Sequence, residues 1–236
     1  MYNKKMTLSR SHFAAAERGS ALFMILLAVG LFAALSFAIS QQNDSAKGLS
    51  SEKIKLLASD VFDMGNKMVD VVAQIRLHGI KVNQISFANT NVAGYTNPSC
   101  TTDSCKVFAY DGGGRDWETP TPDISSGADW IYTGDVSIEN IGTTDGDLIA
   151  ILPNISLSVC TQINKMLGIT GPPPQFNAVT IDKYTGGFAV APTNLSDAMI
   201  DGQTSACVRL TSPGGTGIDV SLPAQFYAYY QVLIPR

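Results

Sequence analysis

Histidine is almost missing from this chain. His12 and His78 are the two present, and they lie on opposite sides of a long apolar run. A two-histidine metal site is therefore excluded, and a Ser-His-Asp triad would have to be built on His78, beside Arg76, with no hydrolase signature to support it. A basic excess is also lacking: 16 basic residues face 20 acidic ones, for a formal charge of −4. No nucleic-acid partner is expected. Lys-Ser/Thr is absent after the glycines of Asp111–Glu118 (DGGGRDWE), which excludes a phosphate loop and leaves a turn. EF-hand spacing is absent as well. The aspartates at Asp111 and Asp116, Asp145 and Asp147, and Asp197 and Asp201 read as turn residues, neither a calcium site nor a glycosidase pair. Nothing remains to carry catalysis, so the chain is read as a non-enzyme with no cofactor and no metal.

Cysteine is scarce but informative. Cys100, Cys105, Cys160 and Cys207 all follow the apolar run. An even count on one side suggests two disulfides in an oxidising compartment. Four cysteines allow three connectivities, and sequence does not choose among them. The pairing carried forward is Cys100 with Cys105 and Cys160 with Cys207.

What the sequence does have is the run RGSALFMILLAVGLFAALSFAIS, Arg18 to Ser40. Ala21 to Ile39 holds no charge and no proline, and as a helix rising about 1.5 Å per residue it nearly matches a ~30 Å hydrocarbon core. A transmembrane helix is expected over 20–40. Lys4, Lys5, Arg10 and Arg18 outweigh Glu17 in the leader, which places the N-terminus in the cytoplasm and the C-terminal domain outside. Small residues at Ala28, Gly30, Ala33, Ala34, Ser36 and Ala38 suit close helix approach. Ala33, Ala34, Ser36, Ala38 and Ser40 also keep open a cleaved secretory signal.

A third option cuts ahead of the run. Arg18-Gly19-Ser20 leading directly into a long apolar helix resembles the processing site of type IV prepilins and pseudopilins, in which a membrane peptidase removes a basic leader after a glycine. The matching residues are Gly19 at the cut, Ser20 as first mature residue, and Leu22, Phe23, Ile25, Leu26 and Leu27 at the start of the stem. One departure is plain: the family usually has glutamate at the fifth mature position, where this chain has Met24. The resemblance implies a minor or initiating subunit, with partners in other pilin-like subunits, the prepilin peptidase and the inner membrane. It further implies a single-pass inner-membrane location followed by a periplasmic or cell-surface filament. The alternatives are an uncleaved single-pass anchor whose ectodomain binds a carbohydrate or protein, and, remotely, a hydrolase using Asp or Glu.

Behind the run, Gly48 in a polar stretch predicts a break. An amphipathic helix follows over 50–79, with Ile54, Leu57, Val61, Met64, Met68, Val71, Val72 and Ile75 at spacings of three and four. Gly65 and Asn66 in its middle argue against a coiled coil. Residues 87–129 read as irregular, with a short strand at Lys106 to Tyr110. Strands are expected at Trp130 to Ile138, Asp147 to Leu152, Ala206 to Leu210 and Gln225 to Ile234. A hairpin is expected from Val179–Tyr184 and Phe188–Ala191, and a helix carrying Cys160 from Ile155 to Leu167. The segment CTQINKMLG on that helix resembles the cysteine-bearing helix of some pilin-like proteins. Gln225 to Ile234 is apolar on both sides and should lie centrally in a sheet. The fold class expected is α+β: a long N-terminal helix, transmembrane then amphipathic, packed on a mainly antiparallel sheet as in pilins. The domain plan is a basic leader 1–19, stem 20–40, amphipathic helix 50–79 and disulfide-bonded ectodomain 80–236.

Overall fold

The computed structural model describes residues 18–236, with side chains for 23–33 and from 50 onward. The leader up to residue 17 lies outside the described residues. The chain divides into two compact units, Met1–Ser51 and Glu52–Arg236. Helix α1, Arg18–Leu77, spans the division and includes residues 41–49, where a break at Gly48 was expected.

In the second unit the elements run β1 (Ile131–Ile138), β2 (Asp147–Ile155), α2 (Leu157–Met166), β3 (Gln175–Asn177), β4 (Thr193–Leu195), β5 (Ser205–Thr211) and β6 (Gln225–Ile234). They form one six-stranded sheet in the order β3-β5-β6-β2-β1-β4. The four long strands pair antiparallel, while β3 joins β5 and β4 joins β1 in parallel at the edges. The sheet is mixed, nearly closed and barrel-like.

Two expectations are corrected here. No helix among the described residues is long and apolar enough to cross a membrane. This overturns the transmembrane helix, the single-pass inner-membrane placement and the membrane terms tied to it. The pilin-like fold class is overturned as well. In place of a long helix laid on a mainly antiparallel sheet there is a mixed, nearly closed sheet. The later part of α1 enters its core, beside α2 and an aromatic loop.

One core holds Ala58, Val61, Val72 and Ile75 of α1, at spacings that keep one helical face turned inward. They share it with Leu148, Ala150 and Leu152 of β2, Tyr229 and Leu233 of β6, and Val159, Cys160 and Ile163 of α2. Phe87, Tyr95 and Tyr132 extend it, with Phe87 and Tyr132 stacked at 4.0 Å. The second core takes the opposite side chains: Ile149 and Ile151 of β2, Ala206, Val208 and Leu210 of β5, and Phe226, Ala228, Tyr230 and Val232 of β6. Each large aliphatic side chain so buried contributes about 1.5–3 kcal/mol. Apolar character on both faces of β6 follows from its place between β5 and β2.

Elsewhere the local readings shift. Ser156 caps α2 by accepting the Val159 N–H, so Ile155 belongs to β2 and not to the helix. Lys106 to Tyr110 makes a single bridge, from Lys106 to Ser86, followed by turns. The hairpin at 179–191 does not form. Ile181 instead bonds to Gly214 and Gly217, while Tyr184 bonds to Tyr132 and Ala189 to Gly134.

Candidate functional site

The first candidate is the apolar part of α1. Phe23, Met24, Ile25, Leu26, Leu27, Val29, Leu31 and Phe32 are between 46% and 72% exposed. Phe23 to Leu27 follow one another at about 100° per residue, so apolar surface surrounds the helix instead of lying in one stripe. A Cβ at Gly30 would meet nothing within 4 Å. Two phenylalanines that each bury about 150–250 Å² when covered already bring the patch to the size that marks interaction sites.

Gly19 and Ser20 lie in the backbone of α1, as does Leu22; their side chains are outside the described residues. Phe23, Met24, Ile25, Leu26 and Leu27 form one continuous exposed segment. The chain brings Cys100 to Cys105 and Cys160 to Cys207 as disulfides. The first pair closes an exposed five-residue loop; the second, with both cysteines wholly buried, staples α2 to β5. Beside that staple, the Asn164 amide donates to the Cys207 carbonyl at 2.8 Å and accepts the Cys207 N–H at 2.7 Å. It stands in for a neighbouring strand.

His78 is exposed at the end of α1. Gly112 and Gly113 pack against the Lys106 and Val107 carbonyls, so the DGGG stretch is a compact turn with no helix after it. No group of three or more His, Cys, Asp or Glu among the described residues could hold a metal ion.

Two carboxylates, Asp147 buried and Asp135 half-buried, are used structurally. Asp147 accepts the N–H groups of Ile138 and Arg236, at 3.2 and 2.8 Å. Burial pushes its pKa above the ordinary value, against the pull of those N–H donors and of Arg236. Asp135 accepts the Asp182 N–H at 2.6 Å and is likewise raised, first by burial. Burial also raises the phenols of Tyr95, Tyr132, Tyr184, Tyr229 and Tyr230, which stay neutral. None of these groups converges with a nucleophile.

Two cavities lined by described residues are of a size to consider. One, of about 330 Å³, lies between the entry to β1 and the loop 216–222, with Lys183 at its edge. The other, of about 450 Å³, is walled by Ala88–Asn91 and floored by Phe108 and Trp117. The sequence offered one clue to the second, a tryptophan inside a stretch rich in Asn, Thr and Gly. Its parts lie too far apart along the chain for spacing to join them.

No family model matches the chain, and no curated protein or solved structure matches it.

Proposed function

We propose that this chain is a structural subunit of the type IV pilin-like or pseudopilin-like kind, with a minor or initiating role. A prepilin-type peptidase cuts between Gly19 and Ser20, and the apolar part of α1 then packs against the same segment of neighbouring subunits. The observation that carries the reading is the sleeve of exposed apolar side chains from Phe23 to Phe32. A helix that is apolar all round is stable in water only when something covers it. Subunits carrying the same sleeve cover one another. Met24, where a glutamate would otherwise seek a partner amine, leaves that contact purely apolar and favours a place outside the bulk of a filament.

The test is the mature N-terminus, read by mass spectrometry on protein recovered from cells that carry a prepilin peptidase. A chain beginning at Ser20 is expected. One that begins at Met1, or after the apolar run, ends the proposal.

A further inference from the structure

We propose that the groove between Asn89–Asn91 and Trp117 is a binding site for a neutral carbohydrate, distinct from the assembly helix and independent of the filament reading. The groove is a depression about half open to solvent, with room for about 450 Å³. Its floor is aromatic: Phe108 and Trp117 are half-buried and meet edge to face, with ring centroids 5.1 Å apart. Its rim is polar, formed by Thr90, Asn91, Asp103, Lys106 and Asp116.

The chemistry of that combination is selective. A fatty ligand would strip water from the rim carboxylates and amides without replacing its hydrogen bonds. An anion would meet two aspartates against one lysine. A neutral polyol satisfies both parts, because its C–H faces lie on aromatic carbon while its hydroxyls donate to carboxylate oxygens and accept from amide and ammonium N–H.

The walls are set before any ligand arrives. Asn89 Oδ1 accepts the N–H groups of Asn91 and Val92, at 2.8 and 2.7 Å, and its amide donates to the Phe87 carbonyl at 3.0 Å. This holds the turn that presents Thr90 and Asn91. On the other wall Lys106 pairs with Asp103 at 2.7 Å, leaving ammonium N–H groups free to donate. The Cys100–Cys105 disulfide and the Ser86–Lys106 bridge anchor that wall. Preorganisation of this kind lowers the ordering cost of binding.

The experiment titrates the full chain with cellotetraose, maltotetraose and chitotriose, and with an acidic trigalacturonate, following tryptophan fluorescence and heat. Saturable binding of at least one neutral oligosaccharide is expected, with trigalacturonate bound more weakly. Thr90→Trp, which fills the groove from an exposed position, and Asp116→Asn should each weaken binding about tenfold or more. Lys183→Ala, at the other cavity, should leave it unchanged. Circular dichroism confirms that each variant is folded. No saturation by any neutral sugar up to about 10 mM, preference for the acidic sugar, or binding unaffected by Thr90→Trp would overturn the proposal.

Discussion

Gly65 of α1 and Tyr229 of β6 meet so closely that a Cβ on the glycine would stand 2.9 Å from the tyrosine oxygen and 3.0 Å from Cε1. The tyrosine cannot simply swing aside. It is wholly buried, and its hydroxyl donates to Gln231 Oε1 at 2.7 Å. A glycine inside a helix costs about 1 kcal/mol relative to alanine, and here that cost lets the helix come down onto the sheet.

The consequence is a sign that differs from the usual one. Gly65→Ala should fail to stabilise the protein, and Gly65→Leu should destabilise it by about 1–3 kcal/mol through overpacking. Urea unfolding measures both. A gain near 1 kcal/mol for Gly65→Ala, as at an open helical glycine, would show that the contact is loose.

Much of the second unit was legible in the residues, and the failures have physical causes. β6 announces a central strand because both faces are apolar over ten residues. β1 misleads. Trp130, Tyr132, Val136 and Ile138 alternate as if on one side, yet the register shifts between Thr133 and Val136. Trp130 and Tyr132 therefore enter one core, and Val136 and Ile138 the other. An extra residue reverses every side chain after it, and Gly134, crowded by Phe188 and Gly187, is the local sign of it. β3 and β4 have three residues each, too few to show a period, and their parallel pairing depends on segments distant in sequence. The groove escaped for the same reason: Asn89, Lys106 and Trp117 become neighbours only through the fold.

The two disulfides should differ in what their loss costs. By the loop-closure argument a separation of 47 residues is worth about 4 kcal/mol and one of five residues about 2 kcal/mol. Cys160→Ala with Cys207→Ala should therefore lower unfolding free energy by roughly twice as much as Cys100→Ala with Cys105→Ala. The buried pair also aligns Asn164 with the Cys207 backbone, so its loss should add to the difference. Equal losses in chemical denaturation would contradict the assignment of Cys160–Cys207 as the principal staple.

Asp147 gives a pH dependence whose sign is opposite to that of a salt-bridged carboxylate. Burial raises its folded-state pKa above the ordinary 3.8, so the folded chain takes up its proton more readily than the unfolded chain does. The stability it contributes is full below the ordinary value and is lost as pH rises through the raised one. Asp135 acts in the same direction. Asp147→Asn removes the titration, and denaturant midpoints across the acidic range should show a shallower fall with rising pH than in the parent chain. An unchanged or steeper slope would remove Asp147 as its source. The same variant should be less stable overall, because an amide with one acceptor oxygen cannot serve both the Ile138 and Arg236 N–H groups as the carboxylate does.

The proposed assembly through α1 makes a prediction that separates association from folding. Ile25 and Phe32 are 63% and 72% exposed, so a charge at either touches no core and should change the unfolding of residues 52–236 by no more than about 0.5 kcal/mol. In the assembled state the same charge would be taken out of water without a partner, at a cost of several kcal/mol. All four native cysteines are paired, so Phe32→Cys introduces a single reporter thiol. Oxidative cross-linking in cells should then yield a covalent pair of subunits through position 32, and adding Ile25→Asp should abolish it while circular dichroism stays unchanged. Cross-linking that survives Ile25→Asp would mean that the apolar sleeve does not drive the contact. A chain that never cross-links at position 32, although cut at Ser20, would mean that this face of the helix meets something other than its own kind.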